Sequence, residues 1–485
     1  MSEIHQQAID YVYLQVLQKL QCHYSHRQRL ALEELIRRVT EAAGGHGRLG
    51  QFKVMIAHNG GRDSTQAVAF LRAAQLSLPL RCGQTFDLRI VTSRQDAVTE
   101  PASSNLQRLY AALFIQEDPR VEALMADEHQ VQAFALPDRG LDPMPDEQRH
   151  ALLMAGQLTG GDIRATFCHA DHQRLARGLR RSLSWRGEVG ALVRLEPPRQ
   201  RNQYLLWSRQ VGRRAQALQG QCSESASPAM LQSLRELQSG LGEIPCMPAT
   251  TRSLQVHDLM DELLAAPSME LMDFLGFRLK DLAGAVYESQ YAHPLLLAHI
   301  AGLRAQCLTL LDYRDGIEHY LSLVAPVLRR RRVPEATVCD LLACFTLKGA
   351  LTGHRKRANA LLAARYGLSE AQLVCMLFAP FVEEGAGLSR YLQHCHPRLP
   401  MEHQYLHDAL RGNAAPTSVV RWLTETSGLP MTHLCKLYAM ARVHVDDDQD
   451  LLVRPRLWPL SSRGVRGLHP VTGLAAHATN DPTDV

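Results

Sequence analysis

Apolar residues in the first 48 positions recur at helical spacing, at Ile9, Val12, Leu14, Val16, Leu17 and Leu20 and then at Leu30, Leu32, Leu35, Ile36 and Val39. Gly44, Gly45 and Gly47 end that pattern, and from Phe52 to Ala57 it gives way to a short apolar run of the kind a buried strand carries. A second run, Asp87 to Thr92, lies beyond a stretch whose apolar positions Ala67, Val68, Leu71 and Leu76 are again helical. Strand, helix and strand in this order predict a parallel βαβ unit, because parallel neighbours need a crossover between them. Further helices are expected over Asn105 to Phe114, Glu147 to Gly156 and Arg174 to Leu183, with strands at Leu124 and Met125 and from Val189 to Leu195. This alternation predicts a doubly wound, mostly parallel α/β domain over residues 49–220, preceded by N-terminal helices at 1–48.

The pattern changes after Gly220-Gln221-Cys222-Ser223-Glu224-Ser225-Ala226-Ser227-Pro228, which is small, polar and ends in proline, as linkers do. A second group of breakers, Ile244 to Thr251, extends the expected linker over 221–253. From 254 to 445 the apolar spacing is helical throughout, as at Leu259, Met260, Leu263 and Leu264, and predicts an all-α domain. The remainder, 446–485, opens on three aspartates and is expected to be a mobile tail.

Between the first strand and its helix stands His58-Asn59-Gly60-Gly61-Arg62-Asp63-Ser64-Thr65. Two glycines there free the backbone to take angles closed to other residues and leave no Cβ between main-chain N–H groups and an anion. The positive end of the following helix would lie at the same place. Walker and dinucleotide-fingerprint spacings are absent, so a phosphate-binding turn here is of another type.

Asn59-Gly60-Gly61-Arg62-Asp63-Ser64 resembles the Ser-Gly-Gly-x-Asp-Ser loop of the PP-loop, or N-type ATP pyrophosphatase, family, with Asn59 where the family usually has serine. The resemblance implies a PP-loop (HUP-like) N-terminal domain that binds ATP with Mg²⁺. It also implies cleavage of ATP to AMP and pyrophosphate and transfer of a nitrogen or sulfur nucleophile to an adenylated substrate. In that reading Asn59, Gly60, Gly61, Ser64 and Thr65 hold phosphates, Asp63 is a metal or loop-ordering carboxylate, and Arg62 offsets charge on the leaving pyrophosphate. Adenine would rest near Ile90 and Val91. A second small-residue turn, Thr159-Gly160-Gly161-Asp162-Ile163-Arg164, adds Asp162 as a further metal ligand and Arg164 as a phosphate or substrate contact. Cys168 is the candidate thiolate for sulfur transfer, against the commoner role of a buried structural cysteine.

Two alternatives stay open beside the adenylating enzyme acting on a small-molecule substrate: a non-catalytic nucleotide-binding regulatory or scaffold protein, and a tRNA-modifying enzyme of the same family. Arginines at 174, 177, 180 and 181, at 329–332, and in His354-Arg355-Lys356-Arg357 could follow an RNA backbone, although solvated helix faces explain them more simply. His394-Cys395-His396 with His403 and His407 has zinc-ligand types at non-standard spacing, with His403 and His407 on one face if helical. Asp258, Asp261, Glu262, Asp273 and Asp281 read as exposed helix charges. A homodimer through the helical domain is a further expectation.

Composition narrows these classes only a little. A net charge of +4 is too small to argue for nucleic acid by itself, and the longest apolar stretch, Pro294 to Leu311, is broken by His299, Arg304 and Gln306. The eleven cysteines include no Cys-x-x-Cys pair and the first residues lack the regions of a signal peptide, so a reduced, cytoplasmic protein without a membrane span is expected.

Overall fold

The computed structural model describes residues 3–97, 99–136, 143–159, 163–195, 250–260, 269–285, 293–346, 349–397 and 403–442. Two helices, α1 (Glu3–His23) and α2 (His26–Ala43), precede the first strand, and Ser25 begins α2 with a reciprocal capping box to Gln28. There follow β1 (Lys53–Ala57), α3 (Arg62–Cys82), β2 (Asp87–Ser93), α4 (Glu100–Ala112), β3 (Val121–Ala126) and β4 (Val131–Ala133). Two consecutive helices, α5 (Asp146–Leu158) and α6 (Arg164–Leu183), lead to β5 (Ala191–Arg194). The last strand described is β6 (Arg252–Gln255).

Six strands form one sheet in the order β4-β3-β2-β1-β5-β6, parallel except for β4 against β3. Strand β1 lies inside, with Ile56 opposite Ile90 of β2 on one side and Val54 opposite Ala191 of β5 on the other. The chain runs outward from β1 through β2 to β3, then returns to add β5 on the far side. The order therefore reverses at β1, and the crevice beyond the carboxyl ends of β1 and β5 is where open α/β sheets hold ligands.

Alternate side chains of β1 enter different cores, as the twofold period of a strand demands. Val54 and Ile56 are buried with residues of α1 to α4, among them Leu17, Leu35, Phe70 and Leu106. Met55 faces the opposite side, with Val91, Leu124 and Leu192 against Leu179 and Leu183 of α6. Helices thus cover both faces of a mostly parallel sheet. The expected α/β class holds, and α1 and α2 are part of its packing rather than a separate unit.

The linker expected at 221–253 overlaps β6, whose residues join the sheet as its outermost strand. A four-residue strand with two exposed positions at its start has too short an alternation to stand out from its neighbours. Most of the expected linker, and the tail at 446–485, lie outside the described residues.

Beyond β6 every described element is helical: α7 (Met269–Phe274), α8 (Pro294–Arg304), α9 (Tyr313–Arg330), α10 (Glu335–Thr346), α11 (Ala350–Tyr366), α12 (Glu370–Phe378), α13 (Leu388–Cys395), α14 (His403–Leu410), α15 (Thr417–Ser427) and α16 (Met431–Tyr438). Their shared core takes in Leu152, Leu153 and Leu158 of α5 and Phe167 of α6, so helices from the first half contribute to the packing of the second. No single helix among the described residues is long and apolar enough to cross a membrane.

Charges are also buried beneath α3. Arg72 and Asp118 are both fully enclosed, 2.7 Å apart, and Arg120 holds the same carboxylate from a second direction. Burial pushes the Asp118 carboxyl up, but the hydrogen bonds and charges of Arg120 and Arg72 outweigh it and hold the group at about 2. A depressed carboxylate contributes stability that is complete above its unfolded value near ~4 and lost as pH falls through the folded one. Asp118→Asn is expected to cost about 3–5 kcal/mol, because it leaves Arg72 charged and inadequately paired. It should also flatten the loss of stability between about pH 4 and pH 2. Urea denaturation across that range measures both effects, and unchanged stability would contradict the assignment.

Candidate functional site

The turn after β1 begins with His58, whose N–H donates to the Val91 carbonyl and so continues the parallel pairing for one residue. Its ring is buried, with Nε2 3.3 Å from Thr65 Oγ1 and Nδ1 3.5 Å from the Tyr110 hydroxyl, and burial pushes its pKa down to about 3. A neutral imidazole thus plugs the end of the strand. Gly60 follows in the left-handed region with φ of 76°, and a Cβ there would lie 2.8 Å from the Ala102 carbonyl oxygen at the start of α4. Both its conformation and its surroundings call for glycine.

Asn59 closes the turn on itself. Its Oδ1 accepts from the Gly61 N–H at 2.9 Å and from the Ser64 hydroxyl at 2.7 Å, the service an N-cap side chain performs for a new helix. The N–H groups of Gly60, Arg62 and Asp63 have no protein partner among the described residues. They are the donors that a helix N-terminus offers to an anion.

The turn forms one wall of a cleft of about 470 Å³, measured out to its open mouth. Asn59, Gly60 and Gly61 line it together with Thr99, Pro101, Ala102 and Asn105 around α4. Arg278, Asp281, His293 and Arg365 line it from later in the chain. Asn105 is the brace between these two sets. It is buried, its Nδ2 donates to the Gly60 carbonyl at 3.2 Å and to the Arg278 carbonyl at 3.1 Å, and its Oδ1 accepts from the Arg278 N–H at 3.0 Å.

The cleft wall is mixed in charge. Burial raises the Asp281 carboxyl, against the lowering effect of the Gly284 and Ala283 amides. Burial likewise pushes His293 down to about 3, helped by the positive charge of Arg365. Arg365 itself is anchored by Asp171, with Nε 3.0 Å from Oδ1, and Tyr366 donates to the same carboxylate at 2.8 Å. The expectation that Asp281 is an exposed helix charge is corrected: it stands in the cleft wall. Asp258 and Asp273 are exposed and pair with Arg38 and Arg278, while Asp261 and Glu262 lie outside the described residues.

Several expected site residues have other surroundings. The Arg62 guanidinium turns away from the cleft: it is buried and Nη1 donates to the Arg331 carbonyl at 2.7 Å. Asp63 pairs with the Arg331 side chain at 3.0 Å, and Arg331 Nη1 also donates to the Ala285 carbonyl at 2.7 Å. Ser64 and Thr65 are buried in the first turn of α3, as capping partners rather than cleft-lining groups. Ile90 and Val91 point into opposite hydrophobic cores, so neither side chain offers a surface for a base. Cys168 is buried in the helical core beside Phe167, where an incoming substrate does not reach it. Arg164 opens α6, and Asp162, with Gly160 and Gly161, lies outside the described residues.

Among the described residues no resident magnesium site is assembled, and the expected ligand Asp162 lies outside them. Asp63 is engaged by Arg331, Asp281 is the other carboxylate nearby, and no group of three or more metal-ligating side chains is found among the described residues. The arginine groups are dispersed: Arg174 is buried against the Arg365 carbonyl, Arg329 pairs with Glu335, and Arg355 pairs with Glu370.

Sequence reasoning missed Asn105, Arg278, His293 and Arg365, and it read Arg331 only as part of the arginine run 329–332. Each belongs to an element distant in the chain, and none carries a local motif. An asparagine inside an otherwise apolar helix face was the one available signal, for Asn105. No protein-family model, no curated protein and no solved structure matches the chain.

Asn105→Ala should cost about 2–3 kcal/mol, since it leaves buried backbone groups of Gly60 and Arg278 without partners. Chemical denaturation measures the loss, and a change below about 0.5 kcal/mol would mean that the brace is dispensable.

Proposed function

We propose that the protein binds a nucleotide, with ATP as the expected ligand, by seating phosphate oxygens on the turn between β1 and α3. One observation carries this reading: Gly60, Arg62 and Asp63 leave unpartnered N–H groups in the turn where strand order reverses, and Gly60, with its neighbours Asn59 and Gly61, lines an open cleft. Arg278, paired with Asp273, and Arg365, anchored by Asp171, stand in the opposite wall together with Asp281.

The enzymatic form of the proposal is ATP-dependent adenylation. An acceptor oxygen attacks the α-phosphorus, pyrophosphate leaves, and a nitrogen or sulfur nucleophile then displaces AMP. This chain's contribution would be to position the phosphates by backbone donors and to stabilise the charge on the departing pyrophosphate. Any magnesium would arrive with the nucleotide, since the described residues provide no cage for it.

A second reading, nucleotide binding without turnover, is supported by the engagement of Arg62 and Asp63 with Arg331 and by the burial of Cys168. In this form the turn would sense a nucleotide and the helical half would report it.

The binding proposal is tested at a single backbone atom. Proline is tolerated at the first position of a helix and removes only the N–H there, and Gly61 already has the extended conformation a following proline requires (φ −79°, ψ 171°). Arg62→Pro is expected to weaken ATP binding by about 10–100-fold, the worth of one hydrogen bond to a charged group. Arg62→Ala, which keeps the N–H and loses the same side chain, should weaken it by less than about threefold. Equal affinities for the two variants, measured by calorimetric titration, would remove the backbone from the site. Pyrophosphate release from ATP in the presence of candidate acceptors separates the two readings: release supports the enzyme, and binding without release supports the sensor.

A further inference from the structure

The end of α9 fixes one arginine of the helical half against the turn between β1 and α3. Arg332 takes the left-handed conformation with φ of 54°, its N–H donates to the Arg329 carbonyl at 2.9 Å, and the Val333 N–H donates to the Leu328 carbonyl at 3.1 Å. This is the Schellman closure of a helix, and Val333 and Leu328 are buried in the same helical core, the apolar contact that commonly accompanies it. Arg331, at the cap position, is therefore held where the closed helix end sets it.

There it meets the first turn of α3. Its Nη1 lies 3.0 Å from Asp63 Oδ2 and donates to the Ala285 carbonyl at 2.7 Å, while its own carbonyl accepts from Arg62. The Arg62 guanidinium is engaged by that carbonyl, so Arg331 is the ion-pair partner of Asp63 among the described residues. The Asp63 side chain is only 14% exposed. Its carboxylate has two opposed effects there. In the first turn it stabilises α3 through the positive end of the helix dipole, yet it also stands near the N–H groups of Gly60, Arg62 and Asp63 itself, where a negative charge opposes an anion. Solvent ions screen a charge in so enclosed a place poorly, and the paired guanidinium is what offsets it.

We infer that Arg331 is a positioning residue for phosphate at the turn: by neutralising the Asp63 carboxylate it makes the neighbouring N–H groups acceptable to an anion. The inference rests on the nucleotide reading above and adds that the helical half regulates the turn. By linkage, whatever loosens the end of α9 weakens the ligand, and the ligand strengthens the docking of that helix end by the same factor.

Calorimetric titration of the full chain and its variants with ATP and magnesium tests this. Arg331→Gln, which leaves the carboxylate unpaired, is expected to weaken binding about 5–10-fold, and Arg331→Lys, which keeps the charge, by less than about threefold. Asp63→Asn should strengthen binding, because it removes the opposing charge itself. The decisive variant combines Arg331→Gln with Asp63→Asn: with no carboxylate left to offset, it should bind within about threefold of the parent. A merely structural role for Arg331 would leave that double variant as weak as Arg331→Gln, and this result overturns the inference. So does an Asp63→Asn variant weaker than the parent, which would make the carboxylate a ligand. Asp63→Asn alone decides the matter if Arg331→Gln does not fold. A parent that binds no ATP removes the nucleotide reading itself, whereas a parent that binds, with variants out of this order, removes only the role of Arg331.

Discussion

The parallel pairing of β1 with both β2 and β5 is the constraint from which the rest of the site follows. It places β1 inside the sheet, so each of its side chains is committed to one of two cores and the strand has no freedom to slip by a residue. Its carboxyl end is therefore fixed in space, and the residues that follow must turn within a narrow gap beside α4. Gly60 is a response to that gap, and Asn59 stabilises the turn by satisfying Gly61 and Ser64 from within. What remains without a partner among the described residues is the N–H of Gly60, of Arg62 and of Asp63.

Arg331 ties this turn to the helical half. It follows α9, and it is held through its carbonyl by Arg62 and through its guanidinium by Asp63 and the Ala285 carbonyl. These contacts are charge-assisted hydrogen bonds in a partly buried place, stronger than a solvent-exposed ion pair. A phosphate seated as proposed at the turn would stand near the Asp63 carboxylate, so such binding would bear on the contact between the two halves. Asn105 adds a neutral link of the same kind through Gly60 and Arg278.

The strands and helices of the first half were legible because each carries a periodicity that survives without its neighbours. Continuous apolar runs marked β1 and β2, and the glycine pair marked the bend between β1 and α3. The turn's hydrogen bonding was less visible: Asp63 and Arg62 read as ligand-facing because nothing local shows that Arg331 reaches them. Ile90 and Val91 were assigned to a base-binding surface, although the alternation of a doubly covered strand sends both into cores. Asp281 and His293 owe their shifted titration to burial by elements far away in the chain, a property that spacing along the sequence does not encode. The short edge strand β6 escaped notice for a related reason, since its pairing with β5 rather than its own composition makes it a strand.

That late strand has a consequence for how the chain matures. Translation delivers Ala191–Arg194 well before Arg252–Gln255 appears, so a nascent polypeptide carries a wholly buried-type apolar ribbon with one flank unclosed while the intervening stretch is made. Ribbons in that condition recruit foreign backbones. The cell's holding factors would thus have a defined moment of greatest need, ending when the sixth member of the sheet emerges and seals its neighbour.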